Sequence, residues 1–429
     1  MQKSLSPARC PVKACVSLSG SKSISNRVLL IAACANGVSI LENLPQNKDV
    51  IAGVEALKAL GIPVEEDKIK NTIKITGSGG AFPNKAAQIY CNEAGTLTRF
   101  IIPLCAAQQE GVYTIDAAPR MKERPIQDQL KVLHDLGMTA EYLDVPNRLP
   151  MKIHAKGLQS KPVSVFGGKS SQFLSGILIA APYIEGGLEV HSQTDHPQPY
   201  VEMTLAIMKQ FGVTVEVLEV DENRYYVPYQ EGYRGAHYYI EPDISTASYF
   251  WAAAALTQGE VRILNVTKNA IQGDIQFLSV LQKMGCTIVE EDNAICVIGP
   301  RVLKGVSVNM RNFSDTFMTL VALACFADSE THISGLTHTR GQESDRVSAM
   351  VDGLTKLGVY TEETEDSIHI YPDKSNLKSA VVQGYNDHRI AMSLALIGLR
   401  QEGVVVDGAE CVAKTCPDYF ERMNKMFCQ

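Results

Sequence analysis

Lys58-Ala59-Leu60-Gly61-Ile62-Pro63-Val64-Glu65 reads as a helix that stops at a glycine and passes into a strand, and the same pattern returns four more times. The recurrences are His134-Asp135-Leu136-Gly137-Met138-Thr139-Ala140-Glu141, Lys209-Gln210-Phe211-Gly212-Val213-Thr214-Val215-Glu216, Gln282-Lys283-Met284-Gly285-Cys286-Thr287-Ile288-Val289 and Thr355-Lys356-Leu357-Gly358-Val359-Tyr360-Thr361-Glu362. By subtraction their glycines lie 76, 75, 73 and 73 residues apart. Apolar residues at helical spacing precede them, such as Val50, Val54 and Leu57, or Leu278, Leu281 and Met284. Glycine is therefore expected to end each helix, with a strand following. A period this long is a whole α/β subdomain rather than one turn of a solenoid.

A second marker opens another, more apolar helix in each repeat: Ser21-Lys22-Ser23, Glu93-Ala94-Gly95-Thr96, Ser170-Ser171-Gln172, Asp243-Ile244-Ser245-Thr246, Ser314-Asp315-Thr316 and Asn386-Asp387-His388-Arg389. Asp243, Asp315 and Asp387 recur at intervals of 72. Ser, Asp and Asn are N-cap residues, so six capped, buried helices are predicted. Short β-branched strands follow, as in Gly37-Val38-Ser39-Ile40-Leu41, Gly111-Val112-Tyr113-Thr114-Ile115 and Gly259-Glu260-Val261-Arg262-Ile263-Leu264. Six such subdomains predict an α/β protein of two domains with three units each. The polar stretch from Asp221 to Gly235, where the pattern lapses, marks the boundary.

The chain of 429 residues is long enough for two cores, and 45% hydrophobic with 20% charged residues suits a globular protein. A net charge of −7 argues against a nucleic-acid partner and requires any anion site to be a local basic focus. Eleven cysteines without a regular framework, and no C-x-x-C, suit free thiols in the cytoplasm. No apolar run is long enough for a membrane span, and the first twenty residues hold no signal-peptide pattern.

Local basic foci are present. Gly20-Ser21-Lys22-Ser23-Ile24-Ser25-Asn26-Arg27 sets two cations and three hydroxyls before the apolar run Val28 to Ala33. A helix N-terminus exposes unpaired N–H groups and about half a positive charge, so an anion is the natural guest, although simple capping by Ser23 or Ser25 explains the segment equally. Arg120-Met121-Lys122-Glu123-Arg124-Pro125-Ile126 is either a solvated face or a second focus. Arg340, Arg346, Arg389 and Lys414 recur at matching places in other units.

Together with Ala94-Gly95-Thr96 and Arg99, Ser170-Ser171-Gln172-Phe173, Asn386 to Arg389 and Lys414 to Phe420, these segments resemble the 5-enolpyruvylshikimate-3-phosphate synthases, the 3-phosphoshikimate 1-carboxyvinyltransferases, over essentially the whole chain. The resemblance implies a two-lobed enolpyruvyl transferase fold that closes like a hinge. Each lobe would be three βαβαββ units with pseudo-threefold symmetry, one at 21–238 and the other at 1–20 plus 239–429. It implies transfer of the enolpyruvyl group of phosphoenolpyruvate to the 5-hydroxyl of shikimate 3-phosphate, with release of phosphate, in aromatic amino acid biosynthesis. No metal or cofactor is implied, since cationic side chains and helix N-termini can neutralise the ligands; a cytoplasmic monomer is expected. By the resemblance, Lys22, Gly95, Arg124, Gln172, Arg346, Arg389 and Lys414 hold phosphoenolpyruvate. Ser23, Arg27, Ser170, Ser171, Gln172, Asp315, His338 and Gln342 face the acceptor. Asp315 is the expected base and Glu343 the expected proton-transfer group, with Lys22 in the catalytic set.

Some positions depart from the family pattern. Gln342 stands where a lysine is usual, His338 where Asn is usual, and Pro197-Gln198-Pro199-Tyr200 replaces a serine-bearing segment. Glu93 and Phe100 replace the usual Asn and Pro. Pro197, His338 and Gln342 fall on the acceptor side, with Lys169 and His196 as neighbours able to compensate. Two alternatives follow: an enolpyruvyl transferase for a different acceptor, or a catalytically depleted paralogue that binds anions or a partner. The relative that uses UDP-N-acetylglucosamine is disfavoured, because Gly111 to Arg124 lacks its reactive cysteine and Lys22-Ser23 replaces its Lys-Asn.

Overall fold

The computed structural model describes residues 1–67, 69–166, 170–193, 198–219 and 223–426. The chain divides into two compact units, Ser19–Ile240 and Met1–Leu18 with Glu241–Gln429. Among the described residues, Ser19–Ile240 holds three four-stranded sheets of one plan: a parallel edge strand, a central strand, then two antiparallel strands. In order across each sheet these are His237–Tyr239, Asn36–Glu42, Thr72–Ser78 and Val64–Asp67; Ala86–Tyr90, Gly111–Asp116, Met151–Ala155 and Thr139–Tyr142; and Val163–Val165, Leu188–Ser192, Arg224–Val227 and Glu216–Glu219.

The other unit repeats the plan with Lys13–Val16, Glu260–Leu264, Ala294–Ile298 and Thr287–Glu291, and again with Ser307–Asn309, Thr331–Ser334, Ile368–Tyr371 and Tyr360–Glu363. Its third sheet has three strands: Ala380–Gln383 lies parallel to Val404–Asp407, and the N-terminal Gln2–Lys3 adds antiparallel on the far side. Lys13–Val16 runs parallel to Glu260–Leu264, so the first residues of the chain complete two sheets built mainly from its second half.

The five repeated glycines all stop helices in the expected way. Gly61, Gly137, Gly212, Gly285 and Gly358 have φ of +82°, +98°, +88°, +103° and +85°, the left-handed region that favours glycine. Each donates its N–H three residues back, as Gly137 does to His134 O at 2.9 Å. The next residue donates five back, as Met138 does to Leu133 O at 2.9 Å. That double bond pattern meets two carbonyls the helix leaves open and turns Ile62, Met138, Val213, Cys286 or Val359 into the core.

Six inner helices open at the second marker: Lys22–Cys34, Gly95–Ala106, Gln172–Ala180, Ile244–Thr257, Phe317–Ala324 and His388–Ile397. They are apolar all round and pack on one another within each unit, with Trp251, Phe250 and Phe317 fully buried. Burying such a side chain contributes about 1.5–3 kcal/mol. Side-chain caps were expected at all six starts, and three have them: Ser21 on Ile24 N–H, Asp243 on Thr246 N–H and Asp387 on Arg389 N–H. Ala94 has no side-chain acceptor, while Ser171 and Thr316 sit in helical backbone that turns the hydroxyl away from a capping bond. At two of these starts the first N–H groups find partners just upstream instead: Gln172 and Phe173 donate to Ser170 Oγ and O, both at 3.3 Å, and Phe317 donates to Ser314 O.

Candidate functional site

In Ser19–Ile240, three of the motif residues occupy the first helical position of the three inner helices: Lys22, Gly95 and Gln172. Gln172 ties two of these starts together, donating Nε2 to Thr96 Oγ1 at 3.1 Å and accepting at Oε1 from Arg99 at 2.6 Å. Arg99 also donates to Pro125 O at 2.9 Å and lies over the Phe173 ring at 5.2 Å. Arg124 reaches over Gly95 so closely that a Cβ there would stand 2.5 Å from its guanidinium, so a larger residue would have to displace that group. Burial first, then the neighbouring Arg124 charge, lowers the Arg99 pKa well below its ordinary value. Arg99 thus lies buried near a second guanidinium, with no carboxylate paired to it among the described residues.

Lys22 pairs with Asp49 at 3.6 Å, both largely buried. Arg27, one turn on, is 2% exposed and donates to Ser23 O, Thr204 Oγ1 and Tyr200 O at 2.8, 2.8 and 3.1 Å. These take three of the five N–H donors an arginine has, and Phe100 lies beneath its guanidinium at 5.1 Å. Burial lowers the Arg27 pKa to about 10. The Phe100 departure thus supplies a cation–π support for Arg27. Ser170 Oγ accepts from Gln172 N–H at 3.3 Å, and Ser171 precedes the same helix. Glu93 has no hydrogen bond or ion pair with a described residue. Pro197, Lys169 and His196 lie outside the described residues.

In the other unit the predicted residues form one buried ion network. Asp315 lies between two arginines, Oδ1 accepting from Arg346 at 2.9 Å and Oδ2 from Arg389 at 2.8 Å. Arg346 continues to Asp387 Oδ2 at 2.9 Å and donates to Gln342 Oε1. Asp387, fully buried, also accepts from Ser344 Oγ at 3.1 Å. Its burial and the Glu343 charge would raise its pKa, yet Arg346 and His388 outweigh them and hold it below the usual carboxylate range. Glu343 accepts from Lys414 at 2.8 Å and contacts His388 Nδ1 at 3.0 Å. His338 Nε2 bonds Ser314 Oγ at 2.8 Å, and burial lowers its pKa to about 4, so it is neutral at pH 7.

The repeated aspartates explain why Asp315 differs. Asp243 and Asp387 cap their helices, as simple capping would have it. Asp315 sits instead in a 3-10 turn, Arg311–Thr316, interrupted by Phe313 at φ −145° and ψ 44°, and Thr316 takes the cap position. Its carboxylate is released from capping and held by the two arginines. Asp49, Arg99, Asp387 and His388 join these clusters without having been assigned a role from the motifs. Asp387 and His388 had a signal, their place beside Arg389; Asp49 had none, since its partner lies on another helix.

Comparison with known proteins gives the following. The EPSP synthase (3-phosphoshikimate 1-carboxyvinyltransferase) family model matches residues 8–423. The 3-phosphoshikimate 1-carboxyvinyltransferase of Trichormus variabilis is 40% identical over 420 residues, covering 98% of this chain and 97% of that one. That of Vibrio atlanticus is 39% identical over 417 residues, covering 96% of each. An EPSP synthase structure from Acinetobacter baumannii superposes with TM-score 0.84 at 26% identity, covering 99% of this chain and 98% of that one. The enolpyruvyl transferase NikO from Streptomyces tendae shares the fold at TM-score 0.79 and 17% identity, over 99% and 97% of the two chains.

Proposed function

The chain belongs to the EPSP synthase (3-phosphoshikimate 1-carboxyvinyltransferase) family, and on that premise we propose that it transfers the enolpyruvyl group of phosphoenolpyruvate to the 5-hydroxyl of shikimate 3-phosphate, releasing phosphate. It is a transferase of the shikimate pathway. We place it, as a monomer, in the cytoplasm, which its scattered cysteines support.

The observation that carries the assignment of roles is Asp315 held between Arg346 and Arg389. A carboxylate fixed by two guanidinium groups is oriented to receive the proton of the 5-hydroxyl as its oxygen bonds to C2 of phosphoenolpyruvate. C3 gains a proton in the same addition, a proton that Glu343, flanked by Lys414 and His388, would exchange. Loss of phosphate from C2 with return of a C3 proton then gives the product. Lys22, Gly95, Arg124, Gln172, Arg346, Arg389 and Lys414 would hold the donor's phosphate and carboxylate; Arg99, buried with no carboxylate paired to it among the described residues, supports this. Ser23, Arg27, Ser170, Ser171, Gln172, Asp315, His338 and Gln342 would face the acceptor.

Phosphate release on mixing the protein with both substrates tests the reaction. Turnover abolished by Asp315→Asn is expected; no turnover by the unaltered protein would overturn the reading. One observation favours a second reading, a different acceptor: Gln342 gives its oxygen to Arg346 and brings no cation, and His338 is neutral. Phosphoenolpyruvate bound without turnover of shikimate 3-phosphate would select it.

A further inference from the structure

Asp274 belongs to none of the motifs that carry the proposed reaction. It lies in the short 3-10 turn Gly273–Gln276 and is completely buried. Its Oδ2 accepts from Gln272 Nε2 at 3.0 Å, while Oδ1 has no hydrogen-bond partner. Gln272 accepts in turn from Ile244 N–H at 3.2 Å, which anchors the turn to the start of an inner helix. On its other side the turn packs against Arg311–Thr316, the turn that carries Asp315.

The charged groups that face Asp274 are Asp315 from that turn, Arg389 from the last inner helix and Asp243 from the start of Ile244–Thr257. Tyr249 of the same helix joins them around Arg389. The helix Phe277–Lys283 that continues from the turn has a single charged residue, Lys283, exposed at its far end. Arg389 therefore stands among three carboxyl groups, one of which, Asp315, it pairs with directly.

A buried carboxylate with one oxygen unbonded is costly to ionise. Burial foremost, then the charge of Asp315, raises the Asp274 pKa to about 7 against the pull of Arg389. Its charge thus changes within the neutral range, where a small shift changes the field at Arg389.

We infer that Asp274 is a positioning residue whose proton, in the turn packed against the one that carries Asp315, sets how strongly Arg389 attracts an anionic donor. The inference rests on the reading that Arg389 meets phosphoenolpyruvate. With Asp274 protonated, two carboxylates draw on the guanidinium and more of its field reaches the ligand. With Asp274 ionised, three do, and the donor is held less tightly. Donor affinity consequently falls as pH rises through neutrality.

The test is the KM for phosphoenolpyruvate, at saturating acceptor, from about pH 6 to about pH 8.5 in the unaltered protein and in Asp274→Asn. The donor's own phosphate titrates in both, so the difference between the two profiles is the readout. At about pH 8.5 the variant is expected to show a KM about threefold to tenfold lower, a coupling of up to one pKa unit, with little change in kcat. Asp274→Glu keeps a titrating group and should retain the unaltered slope. Parallel profiles for the unaltered protein and Asp274→Asn, with donor KM raised by Arg389→Lys, overturn the Asp274 inference alone. Donor KM indifferent to Arg389→Lys overturns the donor reading and the inference with it. Carboxyl-labelled NMR of the unaltered protein gives a check that needs no variant: a buried aspartate titrating near neutrality, and moving upward when phosphoenolpyruvate binds, is expected, and its absence rejects the inference.

Discussion

Gln342 and Arg346 lie four residues apart, and the amide oxygen of the first accepts from the guanidinium of the second. Replacing that amide by an ammonium removes the acceptor and supplies a donor for the acceptor substrate. A charge-assisted hydrogen bond is worth about 1.5 kcal/mol, so Gln342→Lys is expected to lower the KM for shikimate 3-phosphate about tenfold in steady-state assays. An unchanged KM would remove Gln342 from the account of acceptor recognition. Arg27 poses the reverse case, a buried cation already committed to Ser23, Thr204 and Tyr200. Lysine cannot reproduce that fork, and Arg27→Lys should cost about 2 kcal/mol in denaturant unfolding, as buried acceptors are left open. At this scale the motifs named many members of the clusters but not their connections. Asp315 was readable as a candidate through the family resemblance, since its recurrence with Asp243 and Asp387 suits capping equally, and its release from capping depends on the backbone at Phe313, which no residue type announces. Asp274, in a turn of unremarked sequence, becomes visible only through its burial.

Among the elements, glycine acts by two distinct mechanisms, and the same substitution separates them. Gly137 has φ +98° with its nearest neighbour, Gln159, at 3.6 Å from an added Cβ, so Gly137→Ala pays only backbone strain, about 1 kcal/mol. Gly176 is helical, but its Cβ would stand 2.4 Å from Arg99 O on the adjacent inner helix. Gly176→Ala must push two inner helices apart and is expected to cost about 3 kcal/mol, read as a larger drop in urea midpoint than for Gly137→Ala. Equal drops would show that the inner helices yield more easily than their packing suggests. The repeat of helix, glycine and strand was legible because its determinants are local: a left-handed residue, the two bonds around it and an apolar residue beyond. The partners of Lys13–Val16 and Gln2–Lys3 were not, since strand pairing across the length of the chain leaves no mark in either strand's own pattern.

For the molecule as a whole, two of the buried aspartates of the unit Met1–Leu18 with Glu241–Gln429, Asp387 and Asp274, pull its pH dependence in opposite directions. Asp387 titrates lower when folded than unfolded, so its contribution is present above the unfolded value near 3.8 and is lost as pH falls through the folded one. Asp274 binds its proton up to about pH 7 when folded, against an ordinary value of 3.8, so the folded state holds the extra proton between those values and stability falls as pH rises through that window. Amide exchange in this unit should therefore be slowest at mildly acidic pH after correction for intrinsic rates, and Asp274→Asn should flatten the decline toward neutrality. A decline of equal slope in the variant would assign it to other groups. Removing residues 1–16 should raise exchange in the strands Glu260–Leu264 and Val404–Asp407 while sparing those of Ser19–Ile240, because only the former lose a partner. That pairing also imposes an order in time. Gln2 and Lys3 meet Asp407 and Val406, so in synthesis these residues wait for partners about 400 residues later. At about 5–20 residues per second, that delay is roughly 20–80 seconds, and through roughly its last 40% Ser19–Ile240 already has all its strands while Gln2–Lys3 still lacks its own.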